Sequence, residues 1–322
     1  MQYKKLGLTN LKVSCLGFGG CPIGAHGWGK VKDKDSVNAI RKAVDLGINF
    51  FDTADTYGLG HSEEILAMAL GENRKKVVIA TKGGVVWDPV VKKSHYDLSP
   101  QHLRTAVEHS LRRLKIDCLP LYQLHYPDPQ TPIGETVQAL EILKKEGKIQ
   151  YIGFSNFSAE SITEAQKYGR FESSQTSYNL IDRSAEKTLF SVCRQLKMSV
   201  LVYGPLAQGL LSGKYTADNH FGPDDRRSRA VYKNFHDQRL KANLVIIEEL
   251  KKIAQKYQKT CAQIALRWIL DNPLITTVIV GAKTPQQIQE NCNTLDWTLA
   301  PEDERSLAQI VERTHGQYGI KD

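Results

Sequence analysis

The stretch 33–52, DKDSVNAIRKAVDLGINFFD, holds the repeating unit of this chain. Residues 33–46 are amphipathic at helical spacing, and Gly47 stands just beyond them, where a residue tolerant of left-handed backbone commonly ends a helix. Residues 49–52 form a short apolar run ending on Asp52, which reads as a strand. Outward from this unit the same alternation recurs. Strands are expected at 14–16, 49–52, 77–81, 119–125, 149–154, 174–177, 199–203 and 277–280. Helices are expected between them at 33–46, 62–70, 100–114, 133–145, 158–167, 185–196 and 285–295. Ser99-Pro100 and Thr284-Pro285 each supply a capping hydroxyl followed by proline at the first helical position. An additional helical pair, 241–257 and 261–271, falls between the seventh and eighth strands. Strict alternation implies a parallel sheet. Eight strands favour an α/β (β/α)8 TIM barrel over an open doubly wound sheet, as a single domain spanning 1–322. A Rossmann reading lacks its phosphate loop, because Gly17-Phe18-Gly19-Gly20 leads into a loop and no G-x-G-x-x-G opens the first helix. The one long irregular segment, 209–239 after strand seven, carries Gly209, Gly213 and Gly222 and is expected to act as a lid.

Bulk properties narrow the function. The chain has 322 residues, 41% hydrophobic and 24% charged, which suits one large globular unit with a sizeable core. No apolar run reaches the roughly 20 residues needed to span a bilayer, and the start of the chain lacks the apolar core of a signal peptide. A cytoplasmic protein with no membrane partner is expected. Six scattered cysteines without a C-x-x-C pair indicate reduced thiols, neither a metal site nor a disulfide framework. The net charge is +8, but the bases are interleaved with acids; even Arg226-Arg227-Ser228-Arg229 directly follows Asp224-Asp225. A solvated surface is expected, with no nucleic-acid partner, and a small anionic ligand such as a cofactor phosphate fits the balance.

In a (β/α)8 barrel, catalytic side chains emerge at the C-terminal ends of strands. Strand two ends in Asp52, strand three in Lys82 and strand four in His125, with Tyr57 on the loop after strand two. Each has a plainer reading: a turn cap, a surface lysine, a hydrogen-bonded core histidine, a packed loop aromatic. Carbonyl reduction gives a reason for the set. It needs hydride at carbon and a proton at oxygen, and a free tyrosine, with a pKa of about 10, is a sluggish acid. Lys82 is expected to lower that value, Asp52 to orient Lys82 through a charge-assisted hydrogen bond, and a neutral His125 to complete an oxyanion site with the Tyr57 phenol.

At these residues the chain resembles the aldo-keto reductase family, most closely its bacterial NADP-dependent members. The resemblance spans nearly the whole length. It is carried by Phe-Asp-Thr-Ala-Asp-Thr-Tyr-Gly within 47–70, by Ala80-Thr81-Lys82, by Leu124-His125-Tyr126-Pro127, by Gly153-Phe154-Ser155-Asn156 and by Gly281-Ala282-Lys283. It implies an enzyme that reduces an aldehyde or ketone with NADP(H), a small-molecule carbonyl being its partner. It also implies residue roles. Ser155, Asn156 and Gln175 match the groups that hold the nicotinamide carboxamide, and Tyr203 the aromatic stacked on that ring. Gly204, Pro205, Leu206, Gln208 and Gly209 match the loop around the pyrophosphate. Gly281, Ala282, Lys283, Thr284, Gln287, Glu290 and Asn291 match the adenosine end.

Two departures bear on specificity. Gln287 stands where many members carry an arginine on the 2′-phosphate, leaving Lys283 as the nearby cation. Gly20 and Cys21, counted among the cofactor contacts, stand where many eukaryotic members have threonine and tryptophan, which alters the pocket wall. Trp28, Trp87 and Tyr126 are candidate walls of the substrate pocket. Two other functions stay open: a nucleotide-binding regulatory subunit on the same fold, which would need no proton donor, and an alcohol or sugar dehydrogenase running the reaction in reverse.

Overall fold

Eight short strands close on themselves in the computed structural model, which describes residues 1–320 apart from His26, Lys30, Pro89 and Lys92. They are β1 (Leu16–Gly19), β2 (Phe50–Asp52), β3 (Val78–Gly83), β4 (Leu119–Leu124), β5 (Ile149–Ser155), β6 (Ser173–Ser177), β7 (Ser199–Tyr203) and β8 (Ile275–Gly281). Every neighbouring pair is parallel, and the register Val278↔Leu16 to Gly281↔Gly19 joins β8 to β1. The helices are α1 (Asp33–Asp45), α2 (His61–Leu70), α3 (Pro100–Leu114), α4 (Ile133–Lys145), α5 (Ala159–Ala165), α6 (Leu189–Gln195), α7 (Asp237–Tyr257), α8 (Cys261–Leu270), α9 (Pro285–Cys292) and α10 (Pro301–Gln317). Ser99 and Thr284 cap α3 and α9 as their sequences predict, each accepting a backbone N–H from three residues on. The fold is the (β/α)8 barrel. Among the described residues, no helix is long and apolar enough to cross a membrane.

The period of two along each strand fixes what faces inward. Phe50, Ala80, Leu121, Leu201 and Ile279 fill the barrel interior, while Phe51, Ile79 and Tyr122 pack outward under the helices. The next inward layer is polar: Asp52, Lys82, Gln123 and Gln175. The opposite end is plugged. Tyr3–Lys5 and Lys12–Ser14 form an antiparallel hairpin whose Leu6 and Val13 join the interior cluster. Hydrogen bonds from Lys4 to the Ile275 carbonyl and from Gly7 N to Ser199 Oγ tie it to strand starts. The polar layer faces the strands' C-terminal ends, away from this hairpin.

Several boundaries differ from expectation. The first barrel strand is Leu16–Gly19 instead of 14–16, because residues 12–14 are taken by the hairpin. The segment 185–196 breaks at Thr188, whose φ of −138° is not helical, into a 3-10 turn and α6. Of the pair expected between strands seven and eight, α8 is the barrel's own helix, packed on β8 and α9, and only α7 is extra. It packs against α10, which the sequence reading missed, with Lys256 and Tyr257 bonding Asp303 at 2.8 and 2.5 Å. The loop 209–239 contains short 3-10 turns at Arg226–Ser228 and Lys233–Phe235, and α7 begins inside its expected end.

Candidate active site

The polar layer is one hydrogen-bonded network. Lys82 Nζ donates to Asp52 Oδ1 at 2.7 Å and to the Thr53 carbonyl at 2.9 Å, and lies 3.4 Å from Tyr57 Oη. The Lys82 and Asp52 side chains are 1% and 4% exposed. Asp52 Oδ2 accepts from Gln175 Nε2 at 2.6 Å and from Gln123 Nε2 at 3.4 Å. A buried charge pair keeps its value only when its remaining lone pairs are satisfied, and the two glutamines do this. Gln123 was not singled out from sequence, although its place two residues before His125 on β4 puts it on the same inward face.

Tyr57 and His125 stand at the edge of this network, their rings 5.8 Å apart and edge-on at 77°. Burial above all, reinforced by the nearby Asp52 carboxylate, holds the Tyr57 phenol well above its ordinary pKa. The expectation that Lys82 would lower it is therefore corrected: Lys82 is already paired with Asp52, and desolvation wins. Burial and then the Lys82 charge push His125 well below its ordinary value, so its imidazole is neutral at pH 7. Its Nδ1 is buried without a partner among the described residues. The ring stacks on Tyr126 at 5.1 Å, and Tyr126 on Tyr96 at 5.2 Å.

A cleft of about 880 Å³ opens from Tyr57 and His125 and runs over β5–β8. Ser155, Asn156, Gln175, Tyr203, Gly204, Pro205, Leu206, Gln208 and Gly209 all line it, as do Cys21, Gly281, Lys283, Gln287, Glu290 and Asn291. Asn156 bridges the two sides: its Nδ2 donates to the His125 carbonyl at 2.9 Å and its Oδ1 accepts from Tyr203 Oη at 2.7 Å. Gly204 has a φ of +66°, and its nearest neighbour would be 3.7 Å from an added Cβ. The glycine is thus required by backbone conformation and presents bare backbone to open space. Lys283 donates through Nζ to the Trp28 carbonyl, and its backbone N–H donates to Gln287 Oε1 at 2.7 Å.

Four expected contacts are not in the cleft lining. Gly20 is packing: an added Cβ there would lie 2.7 Å from Ser62 Oγ and 2.8 Å from the Asp52 carbonyl. Ala282 is buried beneath Gly281, and Thr284 spends its hydroxyl capping α9. Trp87 is 42% exposed on the hairpin of Val85–Asp88 with Lys93–Tyr96, which the sequence reading did not foresee; from that hairpin the exposed Tyr96 stacks on Tyr126. Trp28 and Tyr126 do line the cleft. The loop after β7 adds Lys214, Arg226, Arg227 and Tyr232, which motif reading passed over because they match no fixed pattern.

Residues 15–312 match the model of the aldo/keto reductase family. The chain belongs to that family. An aldo-keto reductase of Bacillus subtilis, YhdN, is 36% identical over 98% of this chain and 95% of its own length. The NADH-specific methylglyoxal reductase of Escherichia coli is 36% identical over 97% of this chain and 100% of its own. Among solved structures, the glycerol dehydrogenase AKR11B4 of Gluconobacter oxydans superposes with a TM-score of 0.88 at 33% identity, covering 99% of this chain and 97% of its own. Aldo/keto reductases are oxidoreductases that act on small carbonyl compounds with a nicotinamide cofactor. The cleft of this member suits such a dinucleotide in its donor chemistry. Amide and aromatic side chains (Asn156, Gln175, Tyr203) gather near Tyr57, and cations (Lys214, Arg227, Lys283) line it as well.

Proposed function

We propose that this aldo/keto reductase reduces an aldehyde or ketone to the alcohol, with Tyr57 as proton donor and NADPH as the preferred cofactor. The observation that carries the reading is the buried line Asp52–Lys82–Tyr57, with steps of 2.7 and 3.4 Å, ending beside a neutral His125. The cofactor, when bound, supplies hydride to the carbonyl carbon. Everything else falls to the protein. Ser155, Asn156 and Tyr203 would hold the nicotinamide end, with Gly204 to Gly209 beside the pyrophosphate and Lys283 to Asn291 at the adenosine end.

The substrate oxygen sits between the Tyr57 hydroxyl and the His125 imidazole, and both stabilise charge as it develops there. A phenol whose ionisation is suppressed by burial keeps its proton at neutral pH. The alkoxide formed by hydride addition is a stronger base than any phenolate, so it takes that proton. The phenolate left on Tyr57 then lies against the Lys82 ammonium, which Asp52 keeps oriented. A protein that only sensed the nucleotide would have no use for this line.

Preference for NADPH is supported by Lys214, Arg227 and Lys283 in one cleft. Against it stands the NADH-specific name of the Escherichia coli relative. Following reduced-cofactor absorbance with a panel of aldehydes, ketones and sugars, using NADPH and NADH in parallel, tests both parts. Oxidation of NADPH ahead of NADH by at least one carbonyl is expected; no oxidation of either would overturn the reading.

A further inference from the structure

Proton and hydride transfer leave one carboxyl near Tyr57 unused. Along β3 the side chains alternate, so Lys82 enters the barrel while Thr81 and Gly83 face the other way, toward α2 and α3. Behind the lysine lie two carboxyls and one guanidinium. Glu63 of α2 is wholly buried, and each of its oxygens takes a donor: Thr81 Oγ1 on Oε1 and Arg113 Nε, from α3, on Oε2, both at 2.6 Å. Gly60 keeps Arg113 in place, since an added Cβ there would lie 2.6 Å from its Cδ and Nε.

Asp55 is the second carboxyl. Its backbone N–H donates to the Lys82 carbonyl at 3.1 Å, which fixes it against β3 on the loop that carries Tyr57. Its Oδ1 is buried with no partner among the described residues, and so is the hydroxyl of Tyr122 on β4. Gly83 lets these two side chains close in, because an added Cβ there would collide with Tyr122 Oη and lie 3.2 Å from Asp55 Oδ2. The groups facing Asp55 are thus Glu63, Arg113, Tyr122, Lys82 and the Thr56 N–H. Arg113 is engaged by Glu63, and Lys82 by Asp52. Two carboxyls confined beside one guanidinium do not both ionise freely, and the one with fewer donors, Asp55, keeps its proton. Burial first, and the Glu63 charge second, push it up to about 7.

We infer that Asp55 is a positioning residue that acts on Tyr57 through Lys82, its protonated carboxyl leaving the lysine's charge to the Tyr57 oxygen. This rests on the reading of Tyr57 as proton donor. Reduction leaves negative charge on that oxygen, 3.4 Å from Lys82 Nζ. An ionised Asp55 adds a second carboxylate beside Lys82 and opposes that charge; a protonated one does not. Turnover is therefore highest below neutrality and falls as the pH rises through it. Tyr57, held well above its ordinary pKa, and His125, held well below, do not titrate in that range. Without Asp55 the profile across neutrality would be flat.

The test follows initial rates on methylglyoxal, butanal and benzaldehyde at saturating reduced nucleotide. Wild-type kcat is expected to fall by about 3- to 10-fold from about pH 6 to about pH 8, the upper figure being the change in protonated fraction of a group that titrates at about 7. Asp55→Asn, neutral throughout, should hold kcat at about pH 8 within about 2-fold of its own value at about pH 6. A substitution that only loosened the fold would lower both values and leave the slope. The same slope in both proteins, or a flat wild-type profile, would overturn the inference. Should Asp55→Asn not fold, infrared difference spectra of wild type over the same range decide: loss of a protonated-carboxyl C=O band in step with kcat supports the assignment, and absence of such a band overturns it. A wild type inert toward all three aldehydes at every pH would sink the reductase reading, and the inference with it.

Discussion

Asp55 lies two residues before Tyr57, and its carboxyl is pushed up to about 7 by burial first and the Glu63 charge second. Arg113, the Thr56 N–H and Lys82 pull the other way, and Tyr122 Oη lies buried nearby. A carboxyl whose folded pKa is raised binds its proton more tightly in the folded state. Its contribution to stability is therefore complete below about pH 4, the unfolded value, and is lost as the pH climbs to about 7. Asp55→Asn should flatten the fall in unfolding free energy between pH 4 and 7 by up to about 4 kcal/mol, read by urea titration of both proteins across that range. A slope unchanged by the substitution would contradict it. Lys283 carries the second prediction at this scale. Lys283→Met should weaken NADPH binding by roughly 10- to 150-fold and leave NADH within a few-fold, measured by quenching of protein fluorescence. Equal weakening of both nucleotides would move the role to Arg227 or Lys214. At the residue scale the sequence was most legible where residue type and strand end coincide, as at Asp52, Lys82 and His125. It was silent on burial, which is why the direction of the Tyr57 shift was misjudged and the neutral Gln123 passed unnoticed.

Among the elements, the segment from Gly204 to α7 differs most from the rigid frame around it. It carries left-handed backbone at Gly204, Ala207, Gln208, Gly209 and Gly213, and it meets the loop after β1 through Arg226–Gly27 and Asp225–Trp28. A segment hinged at one end and latched at the other is expected to open and close over the cleft. Cofactor binding should then be biphasic in stopped-flow fluorescence, with Trp28 in the cleft as reporter and a slow second phase independent of nucleotide concentration; a single fast phase would count against a lid. Helices with strong punctuation, α3 and α4, are bounded as their sequences predict. The first strand was misplaced because 12–14 (Lys-Val-Ser) and 16–19 both form short strands either side of Cys15, and only tertiary pairing decides which joins the barrel. Helix α10 was readable in principle, with Pro301 at its start, acids in its first turn, and Leu307, Ile310, Val311 and Thr314 at helical spacing.

For the whole molecule, the hairpin plug and the apolar interior close one end of the barrel, so chemistry is confined to the other. The eightfold β/α alternation made that architecture legible, and with it the level at which charged strand ends would meet. What the alternation does not encode is the loop after β7, whose side chains line the cleft. On the proposed reading, the buried line from Asp52 through Lys82 serves one hydroxyl, that of Tyr57. Replacing Tyr57 by phenylalanine removes that hydroxyl and little else. Turnover of a carbonyl substrate is expected to fall by at least about 100-fold, the lower range for general acid catalysis, while the dissociation constant of the reduced cofactor stays within about 2-fold; turnover near that of the wild-type enzyme would contradict this role for Tyr57.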